Sequence, residues 1–246
     1  MNTADLTALA LVLALLLTMP VFAMARRNRV MDSDVARRGS TVLLGYWLRD
    51  WLMWLIGPVE RTMVRVGISP DVFNYLGLLL AAGAGLAFAR GALGIAGWLV
   101  LLGGAADVFD GRIARARGLA NSYGAFLDST LDRFAETLTF LGLIVYFAAV
   151  PVMVLATAAA LGGSLLVSYT RARGEALGIT GSGGVMQRAE RLVLLAVGSI
   201  LDPTITSRAG WGAGTVLAIV LILIAVGTAG TAIYRTVSIA RMLRRG

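Results

Sequence analysis

Long apolar stretches separated by short polar segments make up most of this chain. The first covers residues 6–25, which is about enough to cross a bilayer as one helix. Six more follow, at 72–89, 95–116, 124–149, 151–174, 187–202 and 211–235. The pattern predicts an all-α polytopic membrane protein, with a six-helix transmembrane core that follows an extra N-terminal transmembrane helix.

The charges beside the first stretch indicate how it is used. A secretory signal would carry positive charge before its apolar run, whereas here Asp5 precedes the run and Arg26, Arg27 and Arg29 follow it. We therefore expect a retained helix whose N-terminus lies outside the cell.

Residues 33–66 mix charged residues with tryptophan, leucine and methionine. Trp47, Trp51 and Trp54 are spaced four and three apart and so share one helix face. This favours an amphipathic helix at the cytoplasmic interface, which Gly57-Pro58 could break, over an ordinary soluble helix. We predict three regions: 1–30 (helix and basic linker), 31–70 (interfacial helix) and 71–246 (six-helix domain).

The composition excludes several kinds of catalytic and metal-binding chemistry. The 246 residues are 58% hydrophobic, with a mean hydropathy of +0.80, and include neither cysteine nor histidine. Disulfides, thiolate chemistry, His-ligated zinc and a Ser-His-Asp triad are excluded, so any metal must bind oxygen ligands. All 22 basic residues are arginine, which also excludes a lysine Schiff base. In so apolar a chain, the net charge of +8 indicates anionic lipid head groups rather than nucleic acid.

Arginine placement supports the predicted topology. Only Arg90 and Arg208 fall in predicted external loops, and the others fall on the cytoplasmic side or near cytoplasmic helix ends. This asymmetry is what the positive-inside rule expects.

Four acids lie in or beside the apolar stretches around residue 120. Asp107 and Asp110 are three apart, and Asp128 and Asp132 are four apart, so each pair shares a helix face. The short turn at 118–122 makes the two helices antiparallel neighbours, and the pairs can face each other. Such acids could bind two divalent cations, Mg²⁺, Mn²⁺ or Ca²⁺, a geometry used for displacement at phosphorus. The alternative is a set of helix-end acids that pair with Arg112, Arg115, Arg117 and Arg133.

Small residues beside these acids leave room for a ligand. Gly111 and Ala114 would let a planar group approach the backbone, and Gly124 could do so too or could allow close helix packing. Arg115 is placed to meet a phosphate oxygen near the metals.

This segment resembles a known family. It matches, at every defined position, the signature of the CDP-alcohol phosphotransferases, which here reads Asp107-x-x-Asp110-Gly111-x-x-Ala114-Arg115, eight residues, then Gly124-x-x-x-Asp128-x-x-x-Asp132. The six-helix pattern after an interfacial helix is also similar to that family. The span at 6–25 is an addition to it.

The resemblance implies a reaction in which a phosphoalcohol passes from a CDP-alcohol to an acceptor hydroxyl and CMP is released. Asp107, Asp110 and Asp128 would hold two divalent cations (Mg²⁺ or Mn²⁺), and Asp132 would be the general base, near or on a metal. The resemblance assigns the donor's cytidine and phosphates to Gly111, Ala114 and Arg115, with further donor contacts from Gly124, Asp71, Asn74 and Asn121. It also implies a homodimer in a bacterial-type inner (plasma) membrane, with the site facing the cytoplasm.

A second polar cluster follows at 168–192. Arg171, Arg173, Arg188 and Arg191 would gather at two cytoplasmic helix ends, with Arg171 or Arg173 turned inward, and could hold a phosphorylated acceptor. The alternative is positive-inside topology with lipid contacts. The stretch resembles the bacterial phosphatidylinositol-phosphate synthase branch of the family, which implies CDP-diacylglycerol as donor and inositol phosphate as acceptor. The competing interpretations are a phosphatidylglycerophosphate synthase, a family enzyme that uses another acceptor, and an ion or proton transporter.

Overall fold

A computed structural model of the chain describes residues 3–25, 45–179 and 183–245, and the regular elements in these ranges are all α-helices. The all-α prediction is therefore confirmed. Eight helices occur in the described ranges, and we number them in chain order: α1 (Thr3–Ala25), α2 (Tyr46–Val66), α3 (Pro70–Ala89), α4 (Leu93–Ala116), α5 (Ser122–Tyr146), α6 (Pro151–Ala176), α7 (Arg188–Ala209) and α8 (Thr215–Leu243). The predicted basic linker after residue 25 and the first part of the predicted interfacial helix, up to residue 44, lie outside the described residues.

Five of these helices, α3, α4, α6, α7 and α8, are long and apolar enough to cross a membrane. α5 is 25 residues long, but Asp128, Asp132, Arg133 and Glu136 interrupt its apolar character. These charged residues include Asp128 and Asp132, two of the four predicted site acids.

Close helix crossings determine where the site forms. α4 packs against α3 and α7, and α3 also packs along α5. Gly85 of α3 and Gly142 of α5 meet at a crossing so tight that a Cβ atom on either would overlap the backbone of the other helix. Because α4 and α5 both pack on α3, the ends of α4 and α5 that the turn at 117–121 joins lie at the same end of the bundle.

The turn between α4 and α5 follows the prediction. α4 ends at Ala116, Gly118 adopts a left-handed conformation with φ of 66°, and α5 begins at Ser122. The Asn121 side chain accepts a hydrogen bond from the Gly124 N–H at 2.8 Å and so caps α5. This short, capped turn fixes the register of the two acidic helices.

Two prolines do not end their helices as the sequence led us to expect. α2 continues through Pro58 to Val66, and α7 continues through Pro203 to Ala209 rather than ending near residue 202. Left-handed glycines, Gly67 (φ 79°) and Gly210 (φ 69°), end them instead. A proline costs a helix one hydrogen bond, and tertiary contacts can outweigh that loss.

The N-terminal helix packs on the tryptophan face of α2. Phe22 is fully buried, with its ring centroid 5.5 Å from that of Trp47 and 5.7 Å from that of Trp54. The Trp51 indole N–H donates to the Thr18 hydroxyl at 2.9 Å. The three tryptophans do share a face, and that face holds α1.

A buried acid joins α7 to α8 at the end of the bundle opposite the acidic pairs. Asp202 accepts the backbone N–H of Gly214 at 2.8 Å through Oδ1 and that of Leu217 at 3.0 Å through Oδ2. Its carboxylate therefore caps the start of α8, although it belongs to another helix.

We predict that Asp202→Ala lowers the free energy of unfolding by about 1–3 kcal/mol, because two buried N–H groups lose their acceptor. Thermal unfolding in detergent measures this, with Arg208→Gln as a control, since Arg208 lies exposed on the last turn of α7. Equal unfolding temperatures for Asp202→Ala and the control would contradict the capping role.

Candidate active site

Three predicted acids meet near the turn that joins α4 to α5. One carboxylate oxygen from each of Asp107, Asp110 and Asp128 lies within 4.8 Å of the other two. Asp110 is buried, and Asp107 and Asp128 are partly buried. The helical spacing predicted this convergence, and the structure places the three acids close enough to share a cation.

The oxygens of this cluster fit a hard divalent cation. Asp110 Oδ2 and Asp128 Oδ1 are buried and have no hydrogen-bond partner among the described residues. The other Asp110 oxygen accepts a hydrogen bond from the Gly111 N–H. Buried carboxylate oxygens without a donor are costly, and an all-oxygen ligand set is what Mg²⁺ and Mn²⁺ prefer.

Asp132 joins the site through an arginine. Arg188 Nη1 lies 2.7 Å from Asp107 Oδ1, and Arg188 Nη2 lies 2.6 Å from Asp132 Oδ1. One guanidinium from the first turn of α7 thus connects an acid of α4 to an acid of α5. This arginine offsets one of the four carboxylate charges, and the site as a whole favours cations.

The four predicted arginines divide into two pairs. Arg188 and Arg191 line a cleft beside the aspartates, and Arg191 is buried, with its Nε 2.9 Å from Glu136 Oε1. Arg171 pairs with Glu175 on its own helix at 2.8 Å, and its side chain is 61% exposed. Arg173 is exposed as well. The expectation that Arg171 or Arg173 turns inward is therefore wrong, because both lie on the outward surface near the end of α6.

The cleft itself is polar at one end and apolar beyond it. Its polar lining comprises Asn74, Asp107, Asp110, Asp132, Glu136, Thr139, Arg188 and Arg191. Its apolar walls include Phe73, Leu99, Val100, Phe140, Leu192 and Leu195. A substrate with a charged head and an apolar tail matches such a lining.

The predicted donor residues lie around this cleft to different extents. Arg115 lies over Gly111, where a Cβ atom would be only 3.2 Å from Arg115 Nη1. Asn74 is buried and lines the cleft, while Asp71, three residues earlier in the first turn of α3, does not line it. The side-chain oxygen of Asn121 caps α5, so in this structure it stabilises the helix start. The other predicted donor residues, Ala114 and Gly124, are partly buried near the ends of α4 and α5.

Sequence reasoning missed two acids. Glu136 follows Asp128 and Asp132 at a further spacing of four, so the helical repeat alone could have placed it on the same face. Glu190 is buried in the first turn of α7, and neither of its carboxylate oxygens has a hydrogen-bond partner among the described residues. No spacing marks Glu190, because its burial depends on how α7 packs.

The chain belongs to the CDP-alcohol phosphatidyltransferase family, whose model matches residues 67–240. It is 35% identical over 208 residues to the phosphatidylinositol phosphate synthase of Cutibacterium acnes, which covers 81% of this chain and 98% of that protein. It is 38% identical over 146 residues to the enzyme of the same name from Mycobacterium tuberculosis strain H37Rv, covering 58% and 67% of the two chains. The family and the apolar helices together define an integral membrane phosphatidyltransferase.

Solved structures agree with this assignment. The crystal structure of the Mycobacterium tuberculosis phosphatidylinositol phosphate synthase with CDP-DAG bound matches with a TM-score of 0.65 at 32% identity, covering 74% of this chain and 92% of that one. A second crystal structure of that enzyme, in complex with manganese and citrate, also gives a TM-score of 0.65 and covers 74% and 87%. The predicted all-α membrane fold is thus shared with a known membrane enzyme.

The pair of Arg191 with Glu136 allows a stability prediction. Glu136→Gln should lower the free energy of unfolding by about 2–5 kcal/mol, because it leaves the guanidinium of Arg191 buried without its ionic partner. Glu175→Gln breaks the exposed pair with Arg171 and should cost less than about 1 kcal/mol. Unfolding in detergent measures the free energy of unfolding of both variants. Equal decreases for Glu136→Gln and Glu175→Gln would contradict a buried ion pair between Glu136 and Arg191.

Proposed function

We propose that this protein transfers a phosphatidyl group from CDP-diacylglycerol to a hydroxyl of inositol phosphate and releases CMP. The observation that carries the proposal is the convergence of three aspartate oxygens beside a cleft with extensive apolar walls, in which Asp107 and Asp110 belong to the polar lining. A nucleotide head could bind at the acids while acyl chains occupy the apolar part. The arginine asymmetry of the sequence supports a site that faces the cytoplasm across a bacterial inner membrane.

In this proposal Asp107, Asp110 and Asp128 hold two divalent cations. Bound there, the cations neutralise charge on the donor pyrophosphate and stabilise the departing CMP. The two buried oxygens without partners, on Asp110 and Asp128, support this role because a cation would satisfy them.

Asp132 takes the proton of the acceptor hydroxyl. It lines the cleft, and its contact with Arg188 holds Oδ1 of the carboxylate in place. A carboxylate so oriented can accept a proton as the acceptor oxygen attacks the phosphorus of the donor's diacylglycerol phosphate. The bond from that phosphorus to the CMP oxygen breaks, and CMP leaves.

Donor recognition falls to the end of α4 and the start of α5. Gly111 and Ala114 leave the backbone open to the cytidine, and Arg115 provides charge for its phosphates. Gly124, on α5, leaves space on the other side. Asn74 adds an amide at the cleft wall, and Asp71 and Asn121 are secondary donor contacts in the same proposal.

The acceptor phosphate binds at the arginines. Arg188 and Arg191 line the cleft, while Arg171 and Arg173 lie at the surface, where they can attract an anion as it approaches. The names of the relatives favour inositol phosphate over glycerol 3-phosphate. We further propose that the enzyme is a homodimer, and that 1–30, 31–70 and 71–246 form the anchor, the interfacial helix and the catalytic domain.

The proposal predicts CMP release that requires a divalent cation, CDP-diacylglycerol and inositol phosphate together. Purified protein is incubated with Mn²⁺ or Mg²⁺ and, in separate reactions, inositol phosphate, inositol, glycerol 3-phosphate or serine. Asp132→Asn should reduce the rate by about 10²–10⁴-fold, the usual contribution of a general base. Arg65→Gln, on the exposed face of α2, serves as the control and should keep the wild-type rate.

Release of CMP with glycerol 3-phosphate alone would assign a phosphatidylglycerophosphate synthase instead. Absence of CMP release with every acceptor would reject a CDP-diacylglycerol donor. In that case cation flux across vesicles that contain the protein would test the transporter alternative.

A further inference from the structure

The interfacial helix α2 contacts α4 on the side away from the aspartates. Arg112 follows Asp110 by two residues, so the two side chains leave α4 in nearly opposite directions. Arg112 Nε donates to Glu60 Oε2 at 2.6 Å, and its Nη1 lies 3.3 Å from Met53 Sδ. The Arg112 and Glu60 side chains are only 14% and 15% exposed, so this ion pair is largely shielded from water.

Two further contacts fasten α2 to the same end of α4. Arg117 Nη1 donates to the carbonyl oxygens of Gly67 and Ile68, at 2.9 and 3.0 Å, just past the end of α2. Between the two helices lies an apolar cluster built on Phe73, Ala106 and Ile113, and Met63 and Val64 of α2 pack against it. The ion pair is therefore part of a continuous interface, and its Arg112 directly follows Gly111 in sequence.

This interface sets the orientation of the last turns of α4. Gly111 and Arg115 belong to those turns, and Asp110 Oδ1 already accepts from the Gly111 N–H. Since α4 is a rigid helix, a rotation at Arg112 would carry Asp110, Gly111 and Arg115 with it. Displacements of about 1 Å in a binding site are enough to change its function by roughly two orders of magnitude.

The ion pair of Arg112 with Glu60 also affects the electrostatic field at Asp110. Arg112 is a permanent cation only two residues from an acid of the cation site, and in poorly hydrated surroundings its field is weakly screened. Glu60 offsets that field and draws the guanidinium towards α2. Loss of the Glu60 charge would leave more of the positive charge of Arg112 to oppose the binding of cations at Asp110.

We propose that Glu60 is a positioning residue for the donor site, acting through Arg112 to fix the Asp110-to-Arg115 turn of α4. This rests on the proposed function, because it takes CDP-diacylglycerol as the donor. It assigns the interfacial helix a part in substrate binding, in addition to any contact with the membrane surface.

The experiment measures CDP-diacylglycerol binding to the full chain in detergent with Mn²⁺, from the rise in unfolding temperature as donor is added. Glu60→Gln should weaken donor affinity about tenfold, as for residues that support a metal site from outside. In turnover, the KM for the donor should rise by a similar factor while the KM for the acceptor stays unchanged. The double variant Glu60→Arg with Arg112→Glu should restore the affinity to within about twofold, because it restores the pair with its charges exchanged.

Arg61→Gln is the matched control, since Arg61 follows Glu60 directly but lies exposed on α2. It should bind the donor as the wild type does. If Glu60→Gln is too unstable to purify, Glu60→Asp, which keeps the charge but shortens the reach, replaces it with the same expected direction.

Unchanged donor affinity in Glu60→Gln would overturn the proposal, as would a double variant that is stable but binds no better than the single one. If the protein binds CDP-diacylglycerol but none of the acceptors leads to CMP release, the proposed function is rejected instead. Binding and turnover therefore distinguish the two failures.

Discussion

Carboxylates buried at the end of an apolar helical bundle must be matched by positive charge, and much of this structure follows from that constraint. Oxygens of Asp107, Asp110 and Asp128 lie within 4.8 Å of one another, and two of the carboxylate oxygens have no donor among the described residues. In low-dielectric surroundings such a group of acids cannot all stay ionised without a counter-charge. A divalent cation supplies that charge and also suits chemistry on a pyrophosphate.

Three arginines near these acids each pair with carboxylates. Arg188 contacts Asp107 and Asp132 directly, and Arg191 pairs with Glu136 further along the cleft. Arg112, on the far side of α4, pairs with Glu60. Pairing Arg191 with Glu136 and Arg112 with Glu60 limits how far these two charges compete with a cation, while Arg188 lies in the cleft and bridges Asp107 and Asp132.

The sequence predicts the acids well and their partners poorly, for a physical reason. Asp107, Asp110, Asp128 and Asp132 are related by helical spacing and a short turn, which are local features that periodicity encodes. The contact of Arg188 with two of these acids depends on the packing of α7 against α4, which involves residues far apart in sequence. The continuation of α7 through Pro203 and the buried carboxylate of Asp202 depend on tertiary contacts in the same way. Glu136 is the exception, since its spacing from Asp132 would have revealed it.

The most direct test of the cation site is the anomalous diffraction of crystals grown with Mn²⁺, recorded near the manganese absorption edge. We predict anomalous peaks within coordination distance of the Asp107, Asp110 and Asp128 carboxylates, about 2.0–2.6 Å from their oxygens. Peaks found only elsewhere, or none at saturating Mn²⁺, would contradict the assignment of these aspartates as metal ligands.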